Sequence, residues 1–349
     1  MTGAPGRVLV IGPGAVGSFL GGILAAAGSG VTLLGRRPAP DVVPGILKLE
    51  GPEGPRDVHL VRAHDPATVE APDLVIVTVK AFHLADALAT AARWPDVPLM
   101  TVQNGIGAEE AAAGARTSPI LAGSLTSAVE PIPGGVRRLR TGGMGVAVVR
   151  GEAASLAADL VDAFTGAGLP AVLFPDSTAM KWSKLIANLV ANASSAILDV
   201  EPAAIYADAR TFPVERAQLL EALAVMRALG VHPVALPGAH VLMLLRGIRF
   251  PELLARPIVA RAIGAARGGK SPSLRLHVRE GGEGPTEARW LNGAVARAGA
   301  ETGVPTPVNA ALAALVDEVA ADPARAAWFH GRPDRLRETV DAWNRGGKG

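Results

Sequence analysis

The sequence predicts an α/β N-terminal domain over residues 1–175 and an all-α C-terminal domain over residues 176–349. Three observations carry this. The chain opens on an apolar run, a glycine turn, a helix-like stretch and a second apolar run. Short apolar runs then alternate with helix-like stretches as far as residue 174, the pattern of a sheet with crossover helices. From Ser177 onward strand-like runs largely vanish and helical periodicity takes over.

The first unit is the most informative. Residues 8–11 read Val-Leu-Val-Ile and lead at once into Gly12-Pro13-Gly14-Ala15-Val16-Gly17. Residues 15–27 are uncharged and helix-friendly, and residues 31–34 form the second apolar run. A chain with 41 glycines produces GxGxxG by chance, but here the strand before it and the helix after it are both present. In that setting Gly12 allows the tight turn, Gly14 lets a pyrophosphate approach the backbone, and Gly17 lets the helix lie close to the sheet. The helix start offers N–H groups and the positive end of its dipole to phosphate. The domain is therefore expected to be of Rossmann type. At the end of the second run stands Gly35-Arg36-Arg37, with no acid to hold a ribose 2′-hydroxyl. Two guanidinium groups suit a 2′-phosphate instead, so the expected cofactor is NADPH/NADP+ rather than NAD.

Composition bounds the rest. The 349 residues are 49% hydrophobic and 19% charged, which describes a globular chain with room for two or three domains. Cysteine is absent, excluding disulfides and thiolate metal sites and agreeing with a cytoplasmic location. The seven His show no paired ligand spacing, and no metal is expected. A net charge of +2 does not make a nucleic-acid surface, and the densest basic cluster is only Arg137-Arg138-Leu139-Arg140. Residues 13–35 lack charge, yet their glycines and the strand–turn–helix–strand order argue against a membrane span.

Further along, residues 47–62 read as inserted strands or loops, broken by Gly51-Pro52 and Gly54-Pro55. Residues 73–80 form a buried strand ending in Lys80, where open α/β sheets bind ligands; a solvated strand end is the alternative. A helix over 83–92 and a strand over 99–102 follow, then Gln103-Asn104-Gly105, in which Asn104 is either a ligand contact or a turn residue. Strands over 120–128 and 145–149 flank a turn at 131–135, and a helix at 154–166 and a strand at 171–174 close the domain.

Residues 179–198 predict one long helix on which Lys184, Asn188 and Asn192 share a face at i, i+4 and i+8. The remaining faces are largely apolar, so this polar row meets either a substrate cleft or a structural polar network. Of 34 basic residues only six are Lys, and three of these are Lys80, Lys181 and Lys184. A lysine where arginine is the default suggests a need to release a proton. Thr286-Glu287 can open a helix, and capping explains Glu287 as well as function does. Residues 302–309 read as a helix stop and restart, a last helix follows Pro333, and the chain frays after Asn344.

Taken in this order, the motifs resemble the ketopantoate reductase (2-dehydropantoate 2-reductase) family along nearly the whole chain. They are Gly-Pro-Gly-Ala-Val-Gly at 12–17, Lys80, Gln103-Asn104-Gly105, Lys184-x3-Asn188-x3-Asn192, Pro272-Ser273-Leu274, Thr286-Glu287 with Asn292-Gly293, and Gly303-Val304-Pro305-Thr306-Pro307. The resemblance implies an NADPH-dependent reduction of 2-dehydropantoate to (R)-pantoate, on the route to pantothenate and coenzyme A. It implies that Lys184 donates the proton, that Asn188, Asn192 and Ser273 hold substrate, and that Asn104 touches both ligands. Lys80 and Ala128 match cofactor contacts, and Glu287 matches the junction of cofactor and substrate. The implied partner is a small 2-keto acid; the charge balance and the strand–turn–helix–strand order speak against nucleic acid and membrane, and the sequence leaves the oligomeric state open, a homodimer through the helical domain being compatible with it. Departures fall on the substrate side: Arg275-Leu276-His277-Val278 in a lengthened segment between Ser273 and Glu287, Arg289 where an acid is frequent, and extra length around 246–269. A paralogue acting on another 2-keto acid, or an NADP-sensing module without catalysis, are the rival readings.

Overall fold

Eleven strands, among the described residues, join one sheet in the order β11-β10-β7-β6-β5-β1-β2-β4-β3-β9-β8. The computed structural model describes residues 3–36, 42–52, 54–139, 142–267, 271–282 and 284–346. The strands are β1 (Arg7–Ile11), β2 (Gly30–Leu34), β3 (Val42–Glu50), β4 (Arg56–Ala63), β5 (Leu74–Val77), β6 (Leu99–Thr101), β7 (Ile120–Leu125), β8 (Val129–Ile132), β9 (Gly135–Arg138), β10 (Met144–Arg150) and β11 (Ala171–Phe174). Helices α1 (Ala15–Ala26), α2 (Leu84–Ala91), α3 (Ala108–Ala115) and α4 (Ala154–Gly166) accompany them.

The central strands β2, β1, β5, β6 and β7 run parallel. Parallel strands must be covered on both faces. Val8 and Val10 pack with Phe19 and Leu20 of α1 and Leu160 of α4 on one face, while Leu9, Val75 and Val77 pack with Leu84 and Leu88 of α2 on the other. The inserted region at 47–62 is a hairpin: β3 and β4 pair antiparallel, and β4 lies parallel to β2. Pro131, expected in a turn, belongs to β8, the outermost strand, where a missing N–H costs no ladder bond; the turn itself is Pro133–Gly134.

By their contacts the residues form two units. One comprises Met1–Gln103, Gly107–Lys181 and Leu236–Ala239; the other comprises Asn104–Ile106, Trp182–Ala235 and His240–Gly349. The second is helical: it takes α5 (Ser177–Leu189) from Trp182 onward, then α6 (Asn192–Leu198), α7 (Pro202–Ala207), α8 (Phe212–Ala228), α9 (Val241–Gly247), α10 (Glu252–Arg267), α11 (Ser273–Glu280), α12 (Asn292–Thr302), α13 (Pro307–Ala321), α14 (Pro323–Phe329) and α15 (Pro333–Asn344). Its core buries Tyr206, Phe212, Leu219, Leu312 and Phe329. It also buries a polar knot. The Asn292 amide donates to Gln218 Oε1 at 2.8 Å and Asn309 Oδ1 at 3.0 Å, and Asn309 donates to Glu221 Oε2 at 2.7 Å. Asn292 and Asn309 thereby hold α8, α12 and α13 together, their buried amide N–H groups taking partners on neighbouring helices. Among the described residues no helix is long and apolar enough to cross a membrane. The fraying expected after Asn344 falls partly on 347–349, outside the described residues.

Candidate active site

The glycine turn has the shape a dinucleotide needs. Gly12 has φ +102°, and a Cβ there would press on Val79. A Cβ on Gly17 would overlap the Gly12 carbonyl oxygen and the Thr78 hydroxyl. Thr78 donates to Gly12 O at 2.7 Å, which ties the end of β5 to the turn. Gly14 caps α1 with no side chain on the helix start, no acid stands in the first turn, and a Cβ on Gly14 would meet nothing within 4 Å. With no capping side chain and no acid in its first turn, the start of α1 leaves its N–H groups to a diphosphate, and the bare Gly14 gives that group room to approach. Pro13 packs against Gly35 and so orients the turn.

Arg36 and Lys80 come to one place. Arg36 is exposed, and its Nη2 lies 3.0 Å from His83 Nε2. Lys80 is exposed and precedes the short 3-10 turn Ala81–His83, with its ammonium 5.7 Å from the Phe82 ring centre. The strand before it stops at Val77, three residues earlier than expected, because Thr78 turns aside to bond Ile11 O and Gly12 O. Arg37 lies outside the described residues. Ala128 is half-buried, and its carbonyl accepts from Leu139 N at 2.8 Å.

Asn104 is exposed, and its Oδ1 accepts from Asn188 Nδ2 at 3.1 Å. Its loop is seated on the turn that carries Glu287. Ile106 N donates to Trp290 O at 3.1 Å, and Gly105, with φ +88°, lies so close that a Cβ would overlap that carbonyl. Glu287 is half-buried and opens a 3-10 turn, Glu287–Trp290, rather than the α-helix expected. Leu291 has φ −104° and ψ −99°, which separates that turn from α12. Thr286 accepts from Ala288 N at 3.3 Å and donates to Asp317 at 2.5 Å, so it caps the turn and anchors it to α13.

The long helix expected over 179–198 is broken. Helix α5 ends at Leu189, Ala191 is left-handed at φ +50°, and α6 begins at Asn192. A left-handed alanine costs about 1–2 kcal/mol. The cause is Glu215, fully buried, whose carboxylate accepts from Ala191 N at 2.8 Å and from Ser194 Oγ at 2.6 Å. Lys184 and Asn188 therefore share one face of α5, both half-buried, but Asn192 does not continue their row. Its Oδ1 accepts from Leu274 N at 3.2 Å, so Asn192 caps α11 and sits beside Ser273, which is exposed at that helix start. Arg275 is buried and paired with Asp199 at 2.7 Å and with Glu201. This pairing anchors α11 to the end of α6.

Burial pushes the Glu215 carboxyl pKa up, outweighing the hydrogen bonds that lower it. The native value is raised, so its stabilising share is complete below the ordinary carboxylate range and is lost as pH rises through the native pKa. Glu215→Gln cannot ionise. Its Tm relative to the parent should therefore increase as pH goes from about 4 to about 8; a difference that stays constant or shrinks would contradict this.

The residues missed from the sequence are Glu109, Lys181, His83, Glu215 and Trp290. Lys181 carried a signal as one of only six lysines. The others act through a carbonyl or through a partner distant in the chain, which residue type does not disclose.

Comparison with known proteins identifies the family. The family model described as "Ketopantoate reductase PanE/ApbA" matches residues 8–148, and "Ketopantoate reductase PanE/ApbA C terminal" matches residues 176–320. A 2-dehydropantoate 2-reductase of Halobacterium salinarum is 29% identical over 89% of this chain and 97% of its own. One of Vibrio cholerae is 30% identical over 88% of this chain and 95% of its own. A crystal structure of a PanE/ApbA family ketopantoate reductase from Ralstonia eutropha JMP134 superposes with TM-score 0.72 at 27% identity, covering 90% and 98% of the two chains.

Proposed function

The chain belongs to the ketopantoate reductase family, and from that premise we propose that it reduces 2-dehydropantoate to (R)-pantoate with NADPH. The observation that carries the proposal is the pairing of Asn104 with Asn188, one helical turn from Lys184, in a chain whose glycine turn is open for a dinucleotide. We assign residues 1–175 to the cofactor and 176–349 to the substrate.

NADPH, when bound, supplies the hydride that the 2-keto carbon takes up. The Lys184 ammonium stabilises the negative charge that grows on the keto oxygen, gives that oxygen a proton, and regains one from solvent. One keto acid, one NADPH and one proton thus give one hydroxy acid and one NADP+. Asn104, Asn188, Asn192 and Ser273 orient the keto acid through its carboxylate and hydroxyl groups, which lowers the entropy cost of the encounter. Glu287 would act at the junction of cofactor and substrate. Gly12 to Gly17, with Pro13, Ala15 and Val16, hold the diphosphate. Arg36 and Arg37 hold the 2′-phosphate, and Lys80 and Ala128 complete the cofactor contacts.

Self-association through the helical unit belongs to the same reading. Leu253, Leu254 and Ile258 are exposed apolar side chains within two turns of α10, the kind of surface a second copy would cover. A mass in solution of twice the chain mass would support it, and a monomer would oppose it.

The cofactor assignment is tested by following oxidation of NADPH and NADH on addition of ketopantoate. NADPH should serve far better. Arg36→Asp should weaken NADPH by about 10- to 150-fold, the loss of one charged hydrogen bond, and leave NADH little changed. Equal preference before and after the change would remove the argument.

A further inference from the structure

A buried ion pair outside the proposed catalytic set bears on both Asn104 and Lys184. Lys181 is 4% exposed and Glu109 is 5% exposed, and the Lys181 ammonium lies 2.9 Å from Glu109 Oε1. The same ammonium donates to Gln103 O at 2.6 Å. Glu109 Oε1 also accepts from Thr101 Oγ1 at 2.8 Å. The Gln103 side chain donates to Val77 O at 3.0 Å and to Val79 O at 3.1 Å. One network therefore joins the ends of β5 and β6, the first turn of α3 and the first turns of α5.

Stability alone gives weak reason for such a pair, because removing two charges from water offsets much of their attraction, and an apolar pair of similar volume often does as well. An apolar pair cannot hold the Gln103 carbonyl. That carbonyl shares a rigid peptide plane with the N–H of Asn104. The ammonium thus fixes Asn104 from upstream, while Gly105 and Ile106 fix it from downstream on Trp290. Lys181 also lies three residues before Lys184 on α5. Anchoring one side chain in a buried pair fixes the rotation of the helix, and hence the direction of a residue one turn on.

We propose that Lys181, held by Glu109, is a positioning residue for keto-acid reduction, setting the Asn104 peptide and the Lys184 turn together. It rests on the reading that Asn104 and Lys184 serve that reduction. The test is the double variant Lys181→Met/Glu109→Gln, which leaves no unpaired buried charge, assayed with NADPH and the keto acid the parent turns over fastest. The expected result is a kcat about 100-fold lower, the scale of a misplacement of about 1 Å, with NADPH affinity within about twofold. Its Tm should stay within about 4 °C of the parent. A kcat that matches the parent at matching Tm overturns the proposal.

Should the double variant fold poorly, Lys181→Arg decides. It keeps the buried cation, but its larger, planar head meets Glu109 and the Gln103 carbonyl from different nitrogens and so displaces that peptide. Reduced kcat at unchanged Tm and NADPH affinity supports positioning, and parental kcat overturns it. A parent that reduces no keto acid would end the functional reading and this proposal with it. A parent that turns over, with variants that do equally well, ends only the positioning role.

Discussion

Lys184→Ala is expected to bind NADPH as the parent does and to lose kcat by roughly two to four orders of magnitude, the usual share of a positioned proton donor. Lys184 is half-buried on α5, on the same face as Asn188, whose amide reaches Asn104. Under the proposed reaction, a keto oxygen gaining charge beside Lys184 needs a cation and then a proton. Guanidinium supplies the first but stays protonated, whereas ammonium supplies both. Lys184→Arg should therefore recover part of the loss and stop short of the parent. Steady-state kcat with an independent NADPH titration separates these outcomes. Parental turnover by Lys184→Ala would remove it as donor.

Gly105→Ala is expected to be nearly as damaging, for a steric reason. At φ +88° an alanine pays about 1–2 kcal/mol of backbone strain. Its Cβ would also overlap the Trp290 carbonyl oxygen, which is already held by Ile106 N at 3.1 Å. Relief requires Asn104 to move, or the turn carrying Glu287. A shift of about 1 Å in either is worth about 100-fold in kcat/KM. Gly107→Ala is the internal control: its φ is +114°, but a Cβ there meets nothing within 4 Å. It should lose stability and keep activity within several-fold. Equal activity losses in the two variants would show that strain, not the Trp290 contact, matters.

What could be read from the sequence was local. The glycine turn, α1 and β1 are spelled out in one stretch of chain, because tight turns and helix–sheet packing select residues within that stretch. Lys184 and Asn188 were legible for the same reason, as neighbours four apart on one helix. The extension of that row to Asn192 failed because Glu215, 24 residues beyond Ala191, draws its N–H out of the helix. Periodicity has no access to such a partner. The Lys181–Glu109 pair was hidden likewise, being separated by 72 positions in sequence and joined only by folding. Pro131 was misplaced because a proline signals a turn, whereas an edge strand tolerates it equally. Arg275, in the segment expected on the substrate side, has its guanidinium occupied by Asp199 and Glu201, partners more than 70 positions away that the sequence does not disclose.

The account's central claim is the substrate. Its most direct measurement is kcat/KM with NADPH for ketopantoate beside ketoisovalerate and pyruvate. Ketopantoate carries a hydroxyl that ketoisovalerate lacks, and a site built to bond that group discriminates by up to about 10⁴–10⁵. Ketopantoate is expected ahead of both by at least about two orders of magnitude, the scale of one well-placed hydrogen bond to a polar site. Equal or better turnover of ketoisovalerate or pyruvate would contradict it and assign the chain to another 2-keto acid.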